Sequence, residues 1–334
     1  MALTSFEVVR RAIEFETPDR IPMRFDSMGV NDFQFVNWNQ VYPGDWVGIS
    51  DTNYDHWGCL WERTDQINMG QIRMHPLEDW SNLETYDWPD PNDPAFYEGM
   101  DDQFIGSQDK YVLIGYFMLI YERMWALRGM ENLFIDLAVE DERLEMLADR
   151  IVEFALQWME NISVRYPSQI HGVHFSDDWG TQQGLMIRPD LWRNFFKPRY
   201  KFLFEGMQSK GWHTWMHTDG KINEILEDLI EIGLDSVNLQ QPRTLGIEEI
   251  GKNFRGRIAF ETTCDIQHTL PKKSNAEIAD EARMLVEHWA TPEGGFTITD
   301  YGEGRAIGVE REKKEVMFNA FIEADPYRRK QLGS

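Results

Sequence analysis

Cysteine is nearly absent: Cys59 and Cys264 are the only two in 334 residues. So few thiols exclude a disulfide framework and fit a reducing compartment. Positive charge is also scarce, with 33 Lys and Arg against 57 Asp and Glu, a net charge of −24. A surface of that sign repels nucleic acid and anionic membrane alike, so neither is expected as a partner. No apolar run approaches the ~18 residues of a membrane span. The opening residues Met1–Arg11 lack the apolar core of a signal peptide, and a cytoplasmic location is expected. No Gly-x-Gly-x-x-Gly or phosphate-loop pattern stands at any strand–helix turn, which removes the phosphate-cradling classes. Internal repeats and linkers are missing too, so residues 1–334 read as one domain.

Aromatic and soft side chains are plentiful, with 13 Trp and 16 Met. They suit either an aromatic-rich core or an apolar pocket for a ring-shaped ligand. Thr4 is placed to cap a helix over residues 5–16, and residues 21–25 read as a first strand. Residues 26–110 are rich in Trp, Tyr, Asp and Pro and carry no long periodic pattern. At roughly 85 residues this stretch is too long for a passive loop, and a functional insertion or lid is expected.

Strands and helices then alternate regularly. Strands are expected at 110–116, 170–178, 213–217, 236–241, 257–263 and 295–300, with helical runs between them. Alternation of this kind gives a parallel sheet, and the count favours a closed (β/α)8 barrel of TIM type whose eighth strand cannot be placed. The stretch Gly211–Gly220 stands at its centre. His213, Trp215 and His217 share one face of the strand, Trp212, Thr214 and Met216 the other.

Polar residues recur at the expected strand ends: Tyr116, Asp177 and Asp178, His217 and Asp219, Gln240 and Gln241, Glu261 and Cys264, Asp300 and Tyr301. In a barrel those ends meet on one face, where active sites are built. Buried carboxylates are unfavourable unless paired, protonated or bound to metal. His217, Asp219, Glu261 and Cys264 offer the imidazole, carboxylate and thiolate ligands that zinc takes, though their spacing is no zinc-finger pattern. The competing reading of Cys264 is a small buried hydrophobe, and that of Asp219 a helix cap. Asp177 and Asp178 point to opposite faces if the strand continues through both.

The segments Ser176–Pro189 (SDDWGTQQGLMIRP), Met216–Gly220 (MHTDG), Gly233–Pro242 and Cys264–Gln267 resemble motifs of the uroporphyrinogen decarboxylase superfamily. Arg20-Ile-Pro22 and Arg128-Gly-Met-Glu131 fit as well, so the resemblance spans nearly the whole chain. It implies a (β/α)8 barrel with its site at the carboxyl ends of the strands. True decarboxylases carry an N-terminal arginine-rich stretch for their polyacidic substrate, whereas residues 23–29 here hold only Arg24. The chain is closer to the cobalamin-dependent methyltransferase branch, which implies methyl transfer from a small methylated compound, methoxylated aromatics included, to a corrinoid. Thiol-methylating members hold zinc through a His-x-Cys pair and a later Cys. Here Asp219 replaces the first Cys and residues 299–301 lack the second, so the resemblance implies an oxygen-rich zinc site and an O-demethylation chemistry. No Asp-x-His-x-x-Gly motif occurs, so the cobalamin would come on a separate corrinoid protein.

On that reading His217, Asp219 and Asp178 are catalytic, and His217, Asp219, Glu261 and Cys264 are the metal ligands. Tyr116, Asp177, Trp179, Gln182, Gln240 and Tyr301 would contact substrate. The alternatives are a decarboxylase of a small acid using Arg24, Arg188 and Arg305, a glycoside hydrolase, and a barrel that binds without catalysing.

Overall fold

The computed structural model describes residues 2–39, 52–65, 70–302 and 304–331. Eight parallel strands run in sequence order around the sheet: β1 (Met23–Phe25), β2 (Phe33–Asn37), β3 (Tyr111–Tyr116), β4 (Gly172–Ser176), β5 (His213–His217), β6 (Ser236–Leu239), β7 (Ala259–Thr262) and β8 (Phe296–Thr299). Each pairs with the next from β2 to β8, and β8 returns to β1 in parallel. This is the (β/α)8 arrangement, with helices packed outside. The eighth strand is β2, inside the stretch read as an insertion. Phe33, Phe35 and Asn37 are its inward residues; Val36 and Trp38 join the outer core.

The seam between β1 and β2 is closed by one residue rather than by a ladder. Asp32 gives its N–H to Met23 O at 2.8 Å, and its carboxylate accepts Met23 N–H at 2.8 Å. Its carbonyl accepts Tyr111 N–H on β3. Arg20 clamps the same carboxylate through both guanidinium ends, at 2.6 and 2.5 Å, and Ser5 Oγ donates to it at 2.6 Å. Burial works to raise the Asp32 carboxyl, and Arg20, Ser5 and Met23 overcome it and hold the group below the usual carboxylate range.

A helix over Ser5–Ile13 plugs the barrel's lower end. Thr4 and Glu7 form its capping box, and Val9 and Ile13 pack onto Phe33, Tyr111, Leu113, Trp215 and Ala259. Above that layer the interior turns polar. Glu261 accepts Arg24 Nε and Trp215 Nε1, each at 2.7 Å, so the buried carboxylate has a charge partner and a second donor.

The aromatic-rich stretch packs against the barrel flank. Within it Thr52–Tyr54, Leu60–Glu62 and Gln71–Met74 form a small antiparallel sheet, followed by 3-10 turns up to Phe104. Residues 40–51 and 66–69 of the expected lid lie outside the described residues. The buried Asp55 ties this region down: it accepts Trp61 Nε1 and pairs with the buried Arg123 at 2.8 Å. Further along, a single helix expected through residue 136 is two, Tyr121–Arg128 and Met130–Val139, split at Gly129 with φ +83°. Among the described residues no helix is long and apolar enough to cross a membrane.

Candidate functional site

The loops after β4 and β5 cross in direct contact, and a glycine on each allows it. A Cβ on Gly220 would lie 2.2 Å from Gly180 O, and one on Gly180 would lie 2.4 Å from Lys221 N. Gly220 also has φ +78°, a conformation that side chains rarely adopt. The crossing is stitched by Gly180 N–H to Asp219 O at 3.1 Å, Trp179 N–H to Thr218 Oγ1 at 3.1 Å and Lys221 N–H to Thr181 O at 2.8 Å. Asp178 Oδ1 accepts Asp219 N–H at 2.8 Å. Two short motifs, far apart in sequence, are thereby locked together.

The result is a three-residue cluster. Asp178, His217 and Asp219 each offer one ligand atom, all within 4.8 Å of one another. His217 ends β5, and its Nδ1 lies 2.7 Å from Asn238 Oδ1 on the paired strand β6. A carboxamide oxygen only accepts, so Nδ1 carries the hydrogen and Nε2 presents a lone pair to the cluster, 3.8 Å from Asp178 Oδ1. Burial works to lower the His217 pKa, but Asp219, Asp178 and the Asn238 bond prevail and raise it. The Asp219 carboxyl is raised, first by burial, with His217 opposing and Asp178 adding to the rise. Its Oδ1 is buried with no hydrogen-bond partner among the described residues. A buried carboxylate oxygen in that state calls for a proton or a cation. One imidazole and two carboxylates, with room for water, is a donor set that zinc accepts at catalytic sites. The residues fit a metal.

Beside the cluster lies a cavity of about 840 Å³ lined by His217, Tyr116, Phe35, Trp38, Phe117, His174, Ser176, Glu98 and the Asn37, Asn39 and Gln103 amides, with Gly99 and Gly115. It opens at the carboxyl ends of β2 to β5. Burial pushes His174 well below an ordinary histidine, helped by Arg24 and His217 nearby. Its imidazole is therefore neutral.

The remaining expected residues divide sharply. Tyr116 lines the cavity, and burial raises its phenol. Asp177 is fully buried and accepts the N–H groups of Ile120, Tyr121 and Glu122, together with the Tyr200 hydroxyl. It caps the helix starting at Tyr121 and has no substrate-facing oxygen. Burial pushes it up to about 6 against those donors. Trp179 is fully buried as well, stacked on Tyr121 at 4.3 Å with its Nε1 on Tyr200 Oη, so it is core and not wall. Gln182 is exposed and bonds Gln241 Oε1. Gln240 and Tyr301 are half-buried just past β6 and β8, outside the cavity lining.

Two proposed metal ligands are elsewhere. Glu261 is taken by Arg24 and Trp215 inside the barrel. Cys264 is fully buried, its Sγ on Ile278 O at 3.5 Å, and burial followed by Glu281 pushes its thiol well above normal. That leaves it a small hydrophobe. Asp300 meets Lys314 at 3.5 Å and Ser27 N–H. Of the arginines, Arg188 is exposed beside Asp190, Arg305 is exposed, and Arg24 is held by Glu261. The cavity residues that sequence reasoning missed are Phe35, Asn37, Trp38, Asn39, Glu98, Gln103, Phe117, His174 and Ser176. The alternation of Phe33, Phe35 and Asn37 was the available signal for the first of them.

Neither a family model nor a curated protein sequence matches the chain. Its fold is that of TIM-barrel enzymes. It is similar over nearly its whole length to a methyltransferase from Methanosarcina mazei, with a TM-score of 0.68, 14% identity and coverage of 96% of this chain and 99% of that one. Weaker likenesses include an endo-β-1,4-xylanase from Gloeophyllum trabeum (TM-score 0.44, 14% identity, 71% and 84% covered). Xylanase 10B from Thermotoga maritima is similar at a TM-score of 0.43, 10% identity, with 95% and 99% covered.

Proposed function

We propose that the protein is a methyltransferase component that takes methyl from a small methylated substrate bound in the 840 Å³ cavity and delivers it to a separate corrinoid protein. The observation that carries the reading is the cluster of Asp178, His217 and Asp219 at the lip of that cavity, with an unpartnered Asp219 oxygen inside it. The full-length fold likeness to the Methanosarcina methyltransferase supports it. A zinc ion held by Asp178, His217 and Asp219 would supply Lewis acidity to a substrate heteroatom.

The chain's own residues do the positioning. Asn238 fixes the His217 ring and its tautomer, so Nε2 faces the cluster. Asp178, the most exposed of the three at 39%, is placed to meet substrate or proton. Phe35, Trp38, Tyr116 and Phe117 supply flat walls that exclude water from a bound methyl group. The decarboxylase alternative lacks what it needs, since the cavity lining contains no Lys or Arg to hold a substrate carboxylate.

The test is metal content by elemental analysis of protein purified without chelator, repeated on His217→Ala. About one zinc per chain in the parent protein, lost in the variant, is the expected result. No metal bound by either protein, even after zinc is added back, would overturn the metal-assisted reading.

A further inference from the structure

The electrostatic character of the cavity narrows the ligand further than methyl transfer alone requires. Its lining holds one carboxylate, Glu98, and no Lys or Arg. Glu98 is exposed, and its carboxylate has no hydrogen-bond or ion-pair partner among the described residues. Asp178 and Asp219 stand at the His217 side. The nearest cation behind the wall, Arg24, is neutralised by Glu261 and rests over the Phe35 ring at 4.9 Å. The field inside is therefore negative, in a chain of net charge −24. Four aromatic rings border the same space, with Trp38 and Tyr116 only 5.6 Å apart.

A second, independent observation points to a ligand. Three buried polar atoms of cavity residues have no hydrogen-bond partner: Trp38 Nε1, Tyr116 Oη and His174 Nε2. An indole N–H only donates, and a neutral phenol donates readily. Groups of this kind meet an oxygen acceptor, whereas aromatic faces with a free carboxylate meet a cation.

We infer that the cavity binds an N-methylated ammonium compound carrying a short oxygen-bearing arm, the ammonium against the aromatic rings and Glu98 and the oxygen on the unpartnered donors. The inference rests on reading the cavity as the methyl-donor site. It also suits that chemistry: when methyl leaves a quaternary nitrogen, the C–N bond breaks and its electron pair stays on nitrogen. The methyl passes as a formal cation to the nucleophile of the proposed corrinoid partner, and the leaving amine is neutral without a proton.

The experiment is calorimetric titration of the full chain, with and without zinc, using choline and its uncharged isostere 3,3-dimethylbutan-1-ol. Choline should bind about tenfold tighter, the size of a desolvated cation–aromatic contact plus a carboxylate. Glu98→Gln should cut that ratio severalfold while circular dichroism stays unchanged, since Glu98 holds no structural contact. Equal binding of the two alcohols, or no binding of choline, would overturn the inference. Choline binding that persists in a protein without metal would leave this inference standing and sink the zinc reading, so the two fail separately.

Discussion

Gly220→Ala is the sharpest perturbation of the architecture that assembles the site. Two penalties apply to it. The backbone there has φ +78°, which costs a non-glycine residue about 1 kcal/mol. The new Cβ would also sit 2.2 Å from Gly180 O and 2.3 Å from Gly180 C, and both are backbone atoms that cannot rotate aside. Relieving such an overlap means moving the 177–181 loop, at about 1–3 kcal/mol for an overpacked contact. The sum is about 2–4 kcal/mol. Gly211, just before the other end of β5, provides the internal control: its φ is +73°, but nothing lies within 4 Å of a Cβ there. Gly211→Ala should therefore show only the conformational term, about 1 kcal/mol. Urea unfolding of both variants, read as midpoint shifts at constant slope, separates the two terms. Zinc titration of the same samples reads the site, because the loop that Gly220 displaces carries Asp178. Gly220→Ala should weaken zinc binding and Gly211→Ala should not. Equal destabilisation by the two substitutions, or unaltered zinc affinity in a destabilised Gly220→Ala, would refute the reasoning.

The barrel seam and the buried thiol yield two more expectations. Asp32→Asn should cost about 3 kcal/mol at neutral pH, since it strips Arg20 and the Met23 main chain of their shared acceptor. Because the folded Asp32 carboxyl is held below its unfolded value near pH 4, its contribution is complete above that value and disappears as pH falls through the lower folded one. Urea midpoints measured down that acid limb should fall more steeply in the parent than in Asp32→Asn, and parallel curves would contradict the assignment. Cys264→Ala should keep the parent's zinc stoichiometry, as a thiol buried against Ile278 has no path to the cluster. Loss of zinc in that variant would return Cys264 to the ligand set.

The alternation of strands and helices from residue 110 onward was legible because each element there is long enough to show its period. β2 was not, since Phe33–Asn37 is five residues inside an aromatic-rich run where every neighbour is also bulky. Its strand character depends on Asp32 stitching it to β1 and β3, a contact that no local pattern encodes. The termini of the long helical runs were blurred for a related reason. Glu140 adopts φ +57° between two helices, a break that its sequence neighbourhood does not announce.

The site divides along the same line. Asp178, His217 and Asp219 could be picked from sequence because they lie in two short contiguous motifs, each with the glycine that the loop crossing demands. Strand parity could not say which of Asp177 and Asp178 faces the site, since the strand ends at Ser176 and both aspartates already belong to the loop. The deciding fact is tertiary: the helix starting at Tyr121 presents three free N–H groups, and Asp177 is consumed in satisfying them. Glu261 shows the opposite case. Its position on an inward face was correctly a chemical one, but Arg24 arrives from β1 to neutralise it, 237 residues away in sequence. A barrel interior fills from all eight strands at once, so a residue's availability to a ligand is fixed by what the other seven place beside it. The catalytic cluster survives this competition because its members stand past the strand ends, where no further inward layer remains to claim the Asp219 oxygen.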